Sequence, residues 1–287
     1  MKSQLRILLA GYGDIAQRLV KQPALCKDQF IAVRRRESAA KQHLVTLQGD
    51  LREGQLVSSL LNNVDVIVAT ISPDSFSDEG YRDSYVAVAN SLAQCIVVSD
   101  KKPGLVIWVS STSVYGENNG AWVDENTPAC PVGFSGKRLL QAEQIIQEIP
   151  TNTIVVRFSG IYGPGRTRTI EMVKQEKISA AKASPWSNRI HSDDCAGVLA
   201  HLIDLYRQRR HLEDIYLATD NLPAPLNQVH RWIAEKMNIS DLKEAVSSGR
   251  ANRRCSNQRL LATGYQFKYP DFRSGYAELI AEFESVK

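Results

Sequence analysis

The chain has 287 residues, 43% hydrophobic and 23% charged, which suits one or two globular domains with a full core. Its formal net charge of +4 is too mild to point to nucleic acid, though it could help draw in an anionic ligand. Five cysteines, at 26, 95, 130, 195 and 255, are widely scattered with no C-x-x-C pair, which argues against a disulfide framework or zinc site and for a reducing, cytoplasmic setting.

Leu5 to Ala10 is an apolar, strand-like run. Gly11-Tyr-Gly13-Asp14-Ile15-Ala16 follows directly, and a helical stretch begins at once. A G-x-G-x-x-A turn between a strand and a helix is the context a dinucleotide site needs. Gly11 allows the tight turn, Gly13 lets backbone approach a pyrophosphate, and Ala16 lets helix and strand pack closely. The opening apolar stretch is too short for a signal peptide and is interrupted by glycines and Asp14. No apolar run approaches the length of a membrane span, so no membrane partner is expected.

Strands are expected at 4–10, 29–34, 43–48, 64–70, 105–110 and 153–158, and helices at 14–21, 53–61, 79–97 and 135–148. Most strands are continuous apolar runs, as in a parallel sheet covered on both faces. The alternation predicts an α/β fold, a doubly wound parallel (Rossmann) sheet. Beyond about residue 160 the pattern loosens. A helix near 168–183, a short strand near Arg189 to Ser192, a helix to about Arg207, a strand ending near Thr219, and helices near 226–237 and 272–286 are expected. The boundaries are 1–160 for a dinucleotide-binding domain with returns near 188–219, and 161–187 with 220–287 for a smaller, interwoven substrate lobe.

Five segments resemble one family in its order: V-S-S-T-S-V-Y-G (109–116), D-E-N-T-P-A-C-P (124–131), V-V-R-F-S-G-I-Y-G-P-G-R (155–166), N-R-I-H-S-D-D (188–194) and S-N-Q-R-L-L-A-T-G-Y (256–265). On these segments the chain resembles the extended short-chain dehydrogenase/reductases, the NAD-dependent epimerase/dehydratases. The resemblance implies that Gly11, Gly13, Asp14 and Ile15 line the pyrophosphate and that Asp50, with Leu51, lies by the adenine. It implies that Ala69 and Thr70, with Ser110, flank the ribose and nicotinamide side, and that Ser111 is the catalytic hydroxyl that bonds the reacting oxygen. It further implies a small-molecule substrate and a homodimer through helices like 79–97 and 135–148.

Strand two ends Val33-Arg34-Arg35-Arg36, with no carboxylate until Glu37. A carboxylate there would bind a ribose 2′-hydroxyl, whereas an arginine accommodates a 2′-phosphate, so NADP(H) is favoured over NAD(H), through Arg34 and Arg35. The alternative is that these arginines are solvated loop residues.

The resemblance fails at its chemical centre. The family uses a Tyr-x-x-x-Lys pair, and an ungapped match fixed by Pro131, Gly136 and Glu143 puts Ser135 in the tyrosine's place and Leu139 in the lysine's. A serine hydroxyl is a poor general acid or base beside an activated phenol. Substitute proton donors are Tyr115, Lys137 (on another face of the helix) or water held by Ser135. Tyr162 is a further phenol, and both it and Tyr115 stand where the family packs aromatics. His191 stands where the family has a structural residue. Thr112 and Ser113 replace the Asp-Glu pair of sugar-nucleotide 4,6-dehydratases, and Gly160 replaces an asparagine that contacts diphosphate. Two functions follow as expectations: an NAD(P)-dependent oxidoreductase or epimerase on a small polar or sugar-like substrate, nucleotide sugars included, or a catalytically impaired protein that binds and reports NADP(H). No cluster has metal-ligand spacing, and no metal is expected.

Overall fold

The computed structural model describes residues 4–35, 44–116, 119–175, 177–178, 184–240, 243–244 and 252–285. Seven strands form one parallel sheet: β1 (Arg6–Ala10), β2 (Gln29–Arg34), β3 (Leu44–Gln48), β4 (Val66–Ala69), β5 (Leu105–Ser111), β6 (Thr153–Phe158) and β7 (Ile215–Ala218), in the order β7-β6-β5-β4-β1-β2-β3. The central strands are buried along their length, Ile7 to Ala10 and Val66 to Ala69 showing no exposure at all, because helices cover both faces. The register sets Ala10 level with Val33 of β2 and with Ala69 of β4. From β1 the chain winds outward to β2 and β3, then returns to β4 and continues the other way. The winding reverses between β1 and β4, and the crevice beyond their carboxyl ends is where such sheets take ligands.

Helix α1 (Asp14–Leu19) starts directly after the glycine turn, with Gly13 as its cap residue. Helix α2 (Gly54–Leu61) crosses from β3 to β4. The helix expected at 79–97 is not uniform. It comprises α3 (Asp78–Tyr81), a π-helical turn over Arg82–Val86 and α4 (Ala87–Val98). Helix α5 (Phe134–Gln147) precedes β6.

The chain divides into two compact units: 1–115, 129–157 and 196–216; and 116–128, 158–195 and 217–287. The second has its own core, where α6 (Arg168–Lys174), α8 (Leu226–Lys236) and α9 (Phe272–Ser285) bring Ile170, Val229, Ile233, Phe272, Tyr276 and Leu279 together around Tyr162. Helix α6 is shorter than expected: it stops at Lys174, and a two-residue strand at Lys177–Ile178 follows, paired with Lys243–Glu244. The remainder of that expected helix, 179–183, lies outside the described residues. Helix α7 (Ser192–Arg207) carries an amide, Asp193 N, that donates to His191 Nδ1 at 3.1 Å.

Candidate functional site

In the first unit a cavity of about 440 Å³ opens at the winding reversal. It is lined by the glycine turn, the end of β2, residues 49–52, the loop after β4 and the π-helical turn. Gly11 adopts φ +94°, and a Cβ there would meet the Thr70 carbonyl oxygen at 2.9 Å, so the turn requires glycine for its own fold. Thr70 Oγ1 donates to the Gly11 carbonyl at 3.0 Å and ties the turn to the end of β4. Gly13 differs. Its φ of −87° suits any residue, and a Cβ there would meet nothing within 4 Å. The missing side chain leaves open space over the cavity, where a ligand can approach the backbone.

Among the described residues two ion pairs line this cavity. Arg52 forks onto Asp50, with Nε 3.0 Å from each carboxylate oxygen, and holds the Asp50 carboxyl below its ordinary pKa. Arg35 forks onto Asp74, both nitrogens donating, and lowers that carboxyl in the same way. Asp74 is in turn anchored, its amide donating to Ser84 Oγ of the π-helical turn at 3.3 Å. Tyr12 in the glycine turn is buried, and its hydroxyl has no hydrogen-bond partner among the described residues. Burial pushes that phenol up in pKa, against the pull of Arg34.

Of the residues expected to hold a coenzyme, Gly11, Gly13, Arg34, Arg35, Asp50, Leu51 and Thr70 meet in this lining. Asp14 sits beside it in α1, paired with Arg18 at 2.9 Å, and Ile15 packs into the core. Ala69 is buried in β4, and Ser110 in β5, its hydroxyl without a partner among the described residues. Sequence reasoning missed Asp74, Asp83, Ser84 and Arg52. Arg36 and Glu37 lie outside the described residues.

The candidate catalytic residues gather where β5 ends. The Ser111 hydroxyl accepts from Ser113 N at 3.2 Å and caps a short helical turn over Thr112–Val114. That turn presses on the first turn of α5 so closely that a Cβ on Gly136 would lie 2.3 Å from the Ser113 carbonyl oxygen. Ser135, half-buried, is next to this contact. Lys137 is exposed, and Leu139 is buried at 4% exposure, so the helix turns an apolar side chain inward where the resemblance would place an ammonium. Tyr115 is 2% exposed, and its hydroxyl accepts from Arg157 Nη1 at 2.9 Å. Arg157 also grips Glu143 of α5, at 2.6 Å for the closest pair of atoms. Phe134, the residue before Ser135, forms an aromatic group with Phe76 and Tyr81, with ring centroids 5.2–5.8 Å apart.

The cavity beside Gly13 and the hydroxyl-bearing end of β5 belong to one sheet, but Ser111, Tyr115, Ser135 and Lys137 are not among the residues that line the cavity. The pattern of the NAD-dependent epimerase/dehydratase family matches residues 8–218. The chain belongs to that family. A Methylobacillus flagellatus protein assigned to the NAD-dependent epimerases/dehydratases is 33% identical to it, covering 98% of this chain and 99% of its own with a TM-score of 0.82. A conserved protein of unknown function from Silicibacter pomeroyi is 28% identical, over 97% and 99% of the two chains, with a TM-score of 0.77. The human epimerase family protein SDR39U1, solved with NADPH, shares the fold at 17% identity and a TM-score of 0.77, over 96% of this chain and 98% of its own. Among curated proteins none matches. Family membership accounts for the doubly wound sheet and the glycine turn.

Proposed function

We propose that the chain binds a nicotinamide coenzyme, NADP(H) in preference to NAD(H), in the first unit's cavity and acts as an oxidoreductase or epimerase on a small polar, sugar-like substrate. The observation that carries the coenzyme reading is Gly13. The fold does not need glycine there, and its absent side chain opens the cavity beside the backbone. Gly11, Gly13 and Thr70 would hold the diphosphate side, Asp50 and Leu51 the adenosine side, and Arg34 and Arg35 a 2′-phosphate. Asp14, Ile15, Ala69 and Ser110 would complete its surroundings. When bound, the coenzyme supplies or accepts hydride. The chain's own part is to orient a substrate oxygen through Ser111 and to exchange its proton.

For that proton, Tyr115 is the weakest candidate, because its oxygen is turned inward to an arginine that already donates to it. Ser135, half-buried beside the turn that carries Ser111, can hold a water that relays a proton to solvent. Lys137, exposed two residues further on, lies on another face of the helix and would need its own path to the substrate. The buried Leu139 favours a second reading, in which catalysis is impaired and the protein binds and reports NADP(H). Turnover with a panel of carbonyl and sugar-nucleotide substrates separates the two, since a reporter binds coenzyme and turns over none.

The coenzyme reading is tested by titrating NADPH and NADH into the protein and its Gly13→Ala variant, following nicotinamide fluorescence. The wild type is expected to bind. The variant is expected to lose at least about tenfold in affinity, the scale of ~1.4 kcal/mol, while its melting temperature holds. No binding of either coenzyme to the wild type overturns the reading.

A further inference from the structure

The two ends of the Arg35–Asp74 pair come from opposite sides of β1. Arg35 follows β2, and Asp74 lies in the loop after β4. In the sheet, β2 and β4 are the two neighbours of β1. Strands sit about 4.8 Å apart, so the loops that leave β2 and β4 start roughly 10 Å apart across the end of β1. The Gly11–Gly13 turn issues from that same end. The ion pair therefore arches over the crevice beside which any ligand approaching Gly13 must lie, and both its residues line the cavity. The anchor of Asp74 on Ser84 fixes one foot of the arch to the π-helical turn.

Charge explains what the arch does. The lining carries Arg34, Arg35 and Arg52 against Asp50, Asp74 and Asp83. Arg52 is engaged by Asp50 and Arg35 by Asp74, so the arginine best placed after β2 for a phosphate already holds a carboxylate. The two acceptors are chemically alike. Each presents paired oxygens to the guanidinium fork, and the phosphate carries the greater charge. Both partners are half-exposed, 52% and 47%, so the pair is screened by solvent and open to exchange.

We propose that the Arg35–Asp74 pair is a strap across the coenzyme crevice, and that Asp74, by competing with a 2′-phosphate for the Arg35 guanidinium, limits the discrimination between NADP(H) and NAD(H). This rests on the coenzyme reading above. A ligand with a 2′-phosphate draws Arg35 off Asp74. A ligand with a 2′-hydroxyl leaves the strap closed.

The test is equilibrium titration of the full chain with NADPH, NADH and 2′,5′-ADP, comparing wild type, Asp74→Asn, Arg35→Gln and the double variant. Asp74→Asn keeps the side chain's shape and removes its charge. It is expected to tighten NADPH and 2′,5′-ADP by about three- to fivefold, the range an exposed ion pair supports, and to move NADH by less than about twofold. In the Arg35→Gln background the same substitution is expected to give no gain. An unchanged NADPH-to-NADH ratio in Asp74→Asn overturns the strap, as does a gain that survives without Arg35. Wild-type protein that binds both coenzymes while the ratio stays fixed removes the strap alone. Wild-type protein that binds neither removes the coenzyme reading and the strap with it.

Discussion

Arg157 brings a full charge into the first unit at 4% exposure, and Glu143, with no exposure, meets it through three nitrogen–oxygen contacts. The Tyr115 oxygen takes the remaining guanidinium edge, and the guanidinium carbon lies 5.0 Å from the centroid of the Tyr115 ring. Removing one partner of such a pair strands a buried charge, so Glu143→Ala is expected to cost about 3–5 kcal/mol in denaturant unfolding. Tyr115→Phe, which removes one hydrogen bond, is expected to cost about 1–2 kcal/mol and to leave NADPH affinity unchanged. A large loss of coenzyme affinity in Tyr115→Phe would instead put that phenol at the site. Single residues differed in how far they were legible. Gly11, Gly13 and Thr70 stand at fixed offsets from a strand end and could be picked out. Asp74 could not: it lies 39 residues from Arg35 in an aperiodic loop, and only the folded sheet brings them together.

Among the elements, the contact between the Thr112–Val114 turn and α5 is the tightest near the candidate catalytic residues. A methyl on Gly136 would meet the Ser113 carbonyl oxygen at 2.3 Å and the Pro131 Cβ at 2.7 Å, both on stiff parts of the chain. Gly136→Ala is therefore expected to destabilise by about 1–3 kcal/mol through overpacking, seen as a lower urea midpoint at unchanged slope. The strands and most helices were legible because hydrophobic period and strand length agree with a covered parallel sheet. The π-helical turn was not, because Arg82–Val86 has no local composition that distinguishes a wider turn from an ordinary one. It nevertheless carries Ser84 to Asp74. Helix α6 was overextended because no glycine or proline marks where Lys177–Ile178 leaves to pair as a strand.

At the scale of the whole molecule, Asp220 in the second unit couples folding to pH. It is 1% exposed, and burial raises its pKa from 3.8 to about 7, against the pull of Arg189 and with help from Asp271 and Asp194. A folded-state value above the unfolded one means that the folded chain holds the proton more tightly. The stability this provides is complete below about pH 4 and is lost as pH rises towards 7. Asp220→Asn cannot ionise, and its oxygen can still accept from Leu222 N as Asp220 Oδ1 does at 3.2 Å. Its melting temperature relative to wild type is expected to rise from pH 4 to pH 8, by at least a few degrees. A flat difference across that range would remove Asp220 as the cause. The βα rhythm and its fading past residue 160 were legible, whereas the pairing of the strand at Trp122–Val123 with Arg254–Cys255, in the second compact unit, was not. Because only a hydrogen atom fits at Gly136 between helix and loop, the main chain that carries positions 135 and 139 is already seated against the hydroxyl-bearing strand end. Ser135→Tyr with Leu139→Lys would thus set a phenol and an ammonium on a main chain that the Gly136 contact already holds in place.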